Sequence, residues 1–261
     1  MDSWHDRRNG DTVPSMERDA ALEAVFMPVR PASTFEETVE RLGSAIRLGL
    51  LAPGSKLPPE RELARRLRIS RSTLRQALTA LVQSGHLVSQ RGRTGGTFVS
   101  EEPPLCEQAC EPLDQGAWEV LDFRVAIESG AAMLAAERGT AAQFDRLDEL
   151  VAKMDDELED FEEYRLTDIR FHIAIAETAQ SPRLLSAMTD VQAQMSDLIA
   201  LIAHPPEVLA ISNEQHARLV KALRKGDGSR AVRQMREHSE GTEHILAGLL
   251  PAPLRLESAS A

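Results

Sequence analysis

The chain has 261 residues, a net charge of −11, 42% hydrophobic residues and only 4% aromatic ones. That balance fits a globular chain with an aliphatic core, and it disfavours both disorder and a stacking-based binder of single strands. No apolar run is long enough to span a bilayer, and the opening segment has no apolar signal-peptide core, so the expected location is cytoplasmic, with no membrane partner.

The charge is unevenly placed. Between Pro31 and Ser100 there are eleven Lys/Arg and five Asp/Glu, a net of +6, which leaves −17 for the rest of the chain. A basic head on an acidic body binds phosphate locally and turns its other faces away from a polyanion. Residues 1–30 read as a flexible N-terminal arm, 31–101 as the basic unit, 102–112 as a linker, 113–250 as a second unit and 251–261 as a flexible tail. Length favours two compact units joined by that linker.

In the basic unit, Ser33 and Glu36 have capping-box spacing ahead of a helix with Phe35, Val39, Leu42 and Ile46 inward. A second, short helix starts after Leu57-Pro58-Pro59 and runs to about Leu67. After a tight turn at Arg68-Ile69, Ser70 caps a third, from Arg71 to about Ser84. His86–Gln90 and Thr97–Ser100 read as short strands around Arg91-Gly92-Arg93-Thr94-Gly95-Gly96, a basic hairpin or wing. Pro103-Pro104 and the pair Cys106 and Cys110 mark the linker; two thiols alone supply only half a tetrahedral metal site.

Beyond the linker, six helices are expected: 113–138, 140–158, 161–178, 182–203, 207–225 and 228–249. Thr140 with Gln143 and Ser181 with Pro182 give two clear starts. The predicted fold is mostly α: an N-terminal winged helix-turn-helix followed by an all-α helical bundle effector domain.

A short helix, a turn and a second helix rich in outward arginines suit a major groove. Arg71, Ser72 and Arg75 would face the bases or phosphates there, and Arg61 would touch the groove lip. Arg91, Gly92 and Arg93 of the wing would enter the adjacent minor groove. The partner is then a double-stranded DNA operator. In the bundle, Asp168 and His172 share one helix face, while His216 and His238 lie on the apolar stripes of two others. Burying three histidines and a carboxylate without a shared partner costs several kcal/mol. A divalent metal would pair with all four at once, and the donor set does not choose among zinc, nickel and manganese. Arg124 and Glu128 are spaced for an ion pair within a helix. In a second reading, Arg124 grips the carboxylate of an effector.

The runs Pro53-Gly54-Ser55-Lys56-Leu57-Pro58-Pro59-Glu60-Arg61-Glu62-Leu63-Ala64, Ile69-Ser70-Arg71-Ser72-Thr73-Leu74-Arg75-Gln76-Ala77-Leu78 and Gly95-Gly96-Thr97-Phe98-Val99 resemble the winged head of GntR-family regulators. Arg124, Glu128, Asp168-Ile169-Arg170-Phe171-His172, His216 and His238 resemble the helical FCD effector domain of that family's FadR-type branch. The resemblance implies Arg61, Ser70, Arg71 and Arg75 as contacts to bases or phosphates and Arg91-Gly92 as the wing contact. It also implies a divalent ion on one aspartate and three histidines, a small organic acid completing its coordination, a homodimer on a short inverted repeat, and repression relieved by the effector. Family members usually carry glycine where Arg68 stands, so the turn is expected to differ in shape.

Two alternatives accompany this reading. One is an acyl-CoA-responsive regulator without metal. The other is a metal-dependent hydrolase, disfavoured because no spare Glu, Ser or Cys is evident as a companion base. His86, His204 and His244 fit the ligand pattern poorly and are expected to be surface or structural residues.

Overall fold

The computed structural model describes residues 25–26, 34–92, 95–106, 115–249 and 252–253. The cap assigned to Ser33, the wing contact Arg93, Cys110, and most of the N-terminal arm, linker and tail lie outside the described residues.

Helix α1, Thr34–Arg47, buries Phe35, Val39, Leu42 and Ile46 as the three-four spacing requires. Helix α2, Glu60–Leu67, buries Leu63, Ala64 and Leu67. Helix α3, Arg71–Gln83, begins where the Ser70 hydroxyl accepts the Thr73 amide at 3.0 Å. Between α2 and α3, Arg68 takes a left-handed conformation, φ 55°, and Ile69 N–H reaches the Ala64 carbonyl. This closes the last turn of α2 as a glycine there would. Arg68 thus holds a conformation that favours glycine, and its backbone bears the strain.

Strands β1, Leu87–Gln90, and β2, Gly96–Val99, pair antiparallel with Leu87 opposite Val99 and Gln90 opposite Gly96. Lys56 holds the turn end of this wing, donating from Nζ to the Gly95 carbonyl at 2.6 Å. Strands β3, Leu105–Cys106, and β4, Ala252–Pro253, pair in parallel. Two residues are too few to show a side-chain period, so neither strand was visible in the linker or the tail.

The second unit contains α4, Gln115–Arg138; α5, Ala141–Asp156; α6, Phe161–Thr178; α7, Pro182–Ile199; α8, Pro206–Arg224; and α9, Gly228–Leu249. Thr140 and Gln143 form the full capping box, and Ser181 caps α7 ahead of Pro182. Helix α7 stops at Ile199, short of the expected 203, because the chain must turn into Pro205-Pro206. Phe171, Ile175, Met188, Leu219 and Met235 lie in its core.

Head and body are not separated as a linker would suggest. Ile245 and Leu249 of α9 belong to the same apolar cluster as Val39, Leu42 and Leu74 of the head. Helices α1 and α9 touch backbone to backbone: a Cβ on Gly248 would fall 2.6 Å from Glu40 Cα, and one on Gly43 would overlap the Gly248 carbonyl. His244 Nδ1 lies 2.6 Å from Glu40 Oε2 across the same seam. Glu36 is buried and accepts from Gln215 Nε2 of α8 at 2.5 Å.

Candidate nucleic-acid interface and ligand centre

In the head, the capping of α3 by Ser70 leaves Arg71, Ser72 and Arg75 exposed around its first turns. Arg61 of α2 and Arg91 and Gly92 at the wing tip are exposed as well. Arg75 is 3.3 Å from Glu60 through Nη2, which steadies it over the α2 start without burying it. Exposed pairs of this kind are worth little and separate readily, so Arg75 remains available to DNA. Lys56 carries a role that composition alone did not assign, since its ammonium pins the wing and lies 5.3 Å from the Phe98 ring centre.

In the bundle, His172 of α6, His216 of α8 and His238 of α9 converge, with one ring nitrogen of each within 4.8 Å of the others. All three are buried. His216 Nε2 lies 3.3 Å from His238 Nε2, and Asp168 Oδ1 lies 3.7 Å from His172 Nε2 and 3.6 Å from His216 Nε2. Helical spacing of four places Asp168 and His172 on one face of α6.

Burial pushes the His216 ring down to about 3, with Asp168 acting against that shift, and pushes His238 well below its ordinary value. Both rings are thereby held neutral, the form that donates a lone pair to a metal. Burial raises Asp168, but the attraction of His172, Arg165 and His216 outweighs it and leaves the carboxyl below its usual range. His172 Nε2 and His216 Nδ1 have no hydrogen-bond partner among the described residues. Three buried histidines, two of them held neutral, with an orphaned, buried Nε2 beside an ionised aspartate fit a divalent cation.

Several residues complete this centre that the helical periods did not reveal. Glu128 of α4 accepts from Arg124 Nε at 3.1 Å, Gln192 Nε2 at 2.9 Å and Ser239 Oγ at 3.2 Å. Its Oε1 also lies 3.1 Å from His172 Nδ1, not aligned as a hydrogen bond. Burial opposes its ionisation, yet Arg124 and His172 bring the carboxyl down to about 2. Glu128 is thus a carboxylate beside the centre, but not a spare one. It is a poor base, because its lone pairs are committed and its proton affinity is low. Arg165 donates to Asp168 Oδ2 at 2.5 Å. Gln215 joins His238 Nδ1 at 3.1 Å to Glu36 of the head. The i,i+3 spacing of Arg165 and Asp168 is a local signal the sequence reading passed over, whereas none marks the Gln215 bridge.

Arg124 does pair with Glu128 as its spacing predicted, and Nη2 also donates to His238 Nε2 at 3.0 Å. A cavity that opens to solvent lies beside Arg124, Asp168 and His238. The other described histidines lie elsewhere. His86 is buried against Ser84, His204 stacks on Phe161, and His244 pairs with Glu40. No helix of the described residues is long and apolar enough to cross a membrane.

A winged helix-turn-helix joined to a helical ligand-binding bundle defines a DNA-binding transcription regulator that responds to a small molecule. Residues 34–99 match the model described as "Bacterial regulatory proteins, gntR family", and residues 119–241 match the FCD domain. The chain belongs to the GntR family and carries its FCD effector domain. It is 36% identical to a Mycobacterium gastri chain named as the HTH-type transcriptional regulator RmpR, over 77% of this chain and 75% of that one. It is 30% identical to the HTH-type transcriptional regulator LutR of Bacillus subtilis, over 78% of this chain and 96% of that one. It is 31% identical to the Glc operon transcriptional activator of Escherichia coli, over 77% and 83%. Among solved structures it is similar to E. coli McbR/YncC, with a TM-score of 0.47 and 24% identity over 81% of this chain and 96% of that one. The matched families and relatives are transcription regulators, and no enzyme is among those named here.

Proposed function

We propose that this chain is a cytoplasmic, homodimeric repressor whose operator affinity is set by a small organic acid bound at a metal centre in the bundle. The reading rests on one observation above all: His172, His216 and His238, with Asp168, meet beside a cavity that Arg124 also lines. Asp168 and the three histidines would hold the ion, with zinc, nickel and manganese all compatible. A bound cation supplies positive charge for a carboxylate, and Arg124 orients that carboxylate with its guanidinium fork. Residues 31–101 would read DNA through Arg61, Ser70, Arg71, Ser72 and Arg75, with Arg91, Gly92 and Arg93 in the minor groove. Residues 113–250 would sense and dimerise.

Support for a second copy comes from α4, where Phe123 and Met133 stand 41% exposed on one side of the helix. A two-fold pair of heads requires an inverted-repeat operator, and reciprocity requires DNA to weaken the acid by the factor with which the acid weakens DNA. Fluorescence anisotropy with duplexes from the chain's own upstream region tests the reading. The ion-loaded protein should bind an inverted repeat and release it when carboxylic acids are added. Operator binding indifferent to every acid, with or without ion, would refute it.

A further inference from the structure

The cavity beside the histidine centre is longer than a hydroxy acid as small as lactate requires. Along α9 its wall carries His238, then Gly241 and Thr242, then Ile245. Seven residues of α-helix span about 10 Å, so the space runs that far from the histidines toward the head.

Its two ends differ in chemistry. At the histidine end, Arg124 and Arg165 are 4% and 9% exposed, and Arg124 Nη1 and Arg165 Nε have no hydrogen-bond partner. Buried guanidinium hydrogens left in this way call for an anion. At the other end, Ile245 and Phe35 belong to the apolar core of the head, and Met195, Ile199 and Ile202 face the same space. Of the lining residues, the head contributes Phe35 and Glu36, and Glu36 already accepts from Gln215.

We propose that the ligand is a monocarboxylate with an apolar body. Its carboxylate sits at Arg124 and Arg165, and its apolar end rests on Ile245 and Phe35, so the DNA-binding head is itself part of the pocket. This rests on the reading of the bundle as a carboxylate sensor and names the class of acid. A small hydroxy acid leaves the isoleucine end unfilled. A dicarboxylate places its second charge among apolar side chains and near the buried Glu36, which disfavours it. Because Phe35 lies on α1, an occupant that fills the cavity presses directly on the element that supports the reading helix.

Calorimetric titration of the full-length, zinc-loaded protein with propionate, hexanoate, octanoate and adipate tests this. Affinity should rise by roughly fourfold for each added methylene between propionate and hexanoate, and adipate should bind more weakly than hexanoate. Phe35→Leu should lower the octanoate-to-propionate affinity ratio severalfold. Ile199→Gln, on the partly buried wall, should do the same without touching the head's own core. Equal affinity across the series, or ratios unmoved in both variants, would overturn the inference and leave carboxylate sensing intact. Absence of binding by every acid would overturn both.

Discussion

Arg124 Nη2 donates to His238 Nε2 at 3.0 Å, and so occupies the lone pair that a metal ion would take from this ring. Its Nε is simultaneously held by Glu128 at 3.1 Å, so the guanidinium is anchored at one edge and competes with a cation at the other. The pairing joins metal binding to ligand binding through one side chain.

Replacing Arg124 separates the two. Arg124→Gln removes the competitor and a nearby positive charge, so divalent-ion affinity should rise by about tenfold, equivalent to roughly 1.4 kcal/mol. Carboxylate affinity should fall by ~1.5 to 3 kcal/mol, the worth of a charge-assisted contact. Isothermal titration with zinc, then with the acid, reads both. A variant that loses both together would show Arg124 to be a structural prop.

The neutral histidines make the ion-free body acid-sensitive. Unfolded histidine protonates near its ordinary value of about 6.5, whereas burial holds His216 down to about 3 and His238 well below that ordinary value. Below about 6.5 the unfolded chain therefore binds more protons, and stability falls as pH falls, by about 1.4 kcal/mol per pH unit for each such group. His244 acts oppositely. Its partner Glu40 raises it, so its contribution is complete below the ordinary value and is lost as pH climbs through the raised one. Urea unfolding of chelated His244→Gln protein at pH 7 and pH 5 isolates the first effect; equal stability at both would show the buried rings to be free to charge.

On the DNA side, Arg71→Ala or Arg75→Ala should weaken operator binding by ~1 to 3 kcal/mol while leaving the thermal transition unchanged. Both side chains are exposed, and among the described residues the Arg75 guanidinium makes only its loose pair with Glu60. Anisotropy with operator and scrambled duplexes distinguishes base reading from phosphate contact, since loss of a phosphate contact weakens both equally.

Arg68 offers a stability test. A left-handed backbone costs a non-glycine residue about 1 to 2 kcal/mol, and glycine returns part of that as unfolded-chain entropy. Arg68→Gly should therefore stabilise the protein by about 0.5 to 1 kcal/mol in denaturant unfolding, with reduced affinity for any duplex if the lost charge contacted phosphate. Destabilisation would mean that the arginine side chain makes a compensating contact.

Much of the architecture could be read locally. The Ser70 cap, the Thr140–Gln143 box and Pro182 announce helix starts through bonds within one turn, and the inward histidines follow from the 3.6-residue period. The contacts that finish the site join residues far apart in the chain: Glu128 to Ser239, Arg165 to Gln192, and Gln215 to Glu36. A glutamate four residues after an arginine looks like an ordinary surface pair, and only the crossing of α4, α6 and α9 turns Glu128 into the buried acceptor of the centre. The seam between head and body was hidden for the same reason. Gly43 and Gly248 are unremarkable singly and meaningful only as a crossing of two backbones.

That crossing bears on how the DNA-reading portion can be studied. A fragment ending at Ser100 would lack Ile245 and Leu249, which fill the apolar cluster under Val39 and Leu42. It would leave the bare flank of Gly43 open to water or to a neighbouring molecule. Truncation would thus change the reader's own stability and association along with its control, and differences between fragment and parent would not by themselves measure regulation.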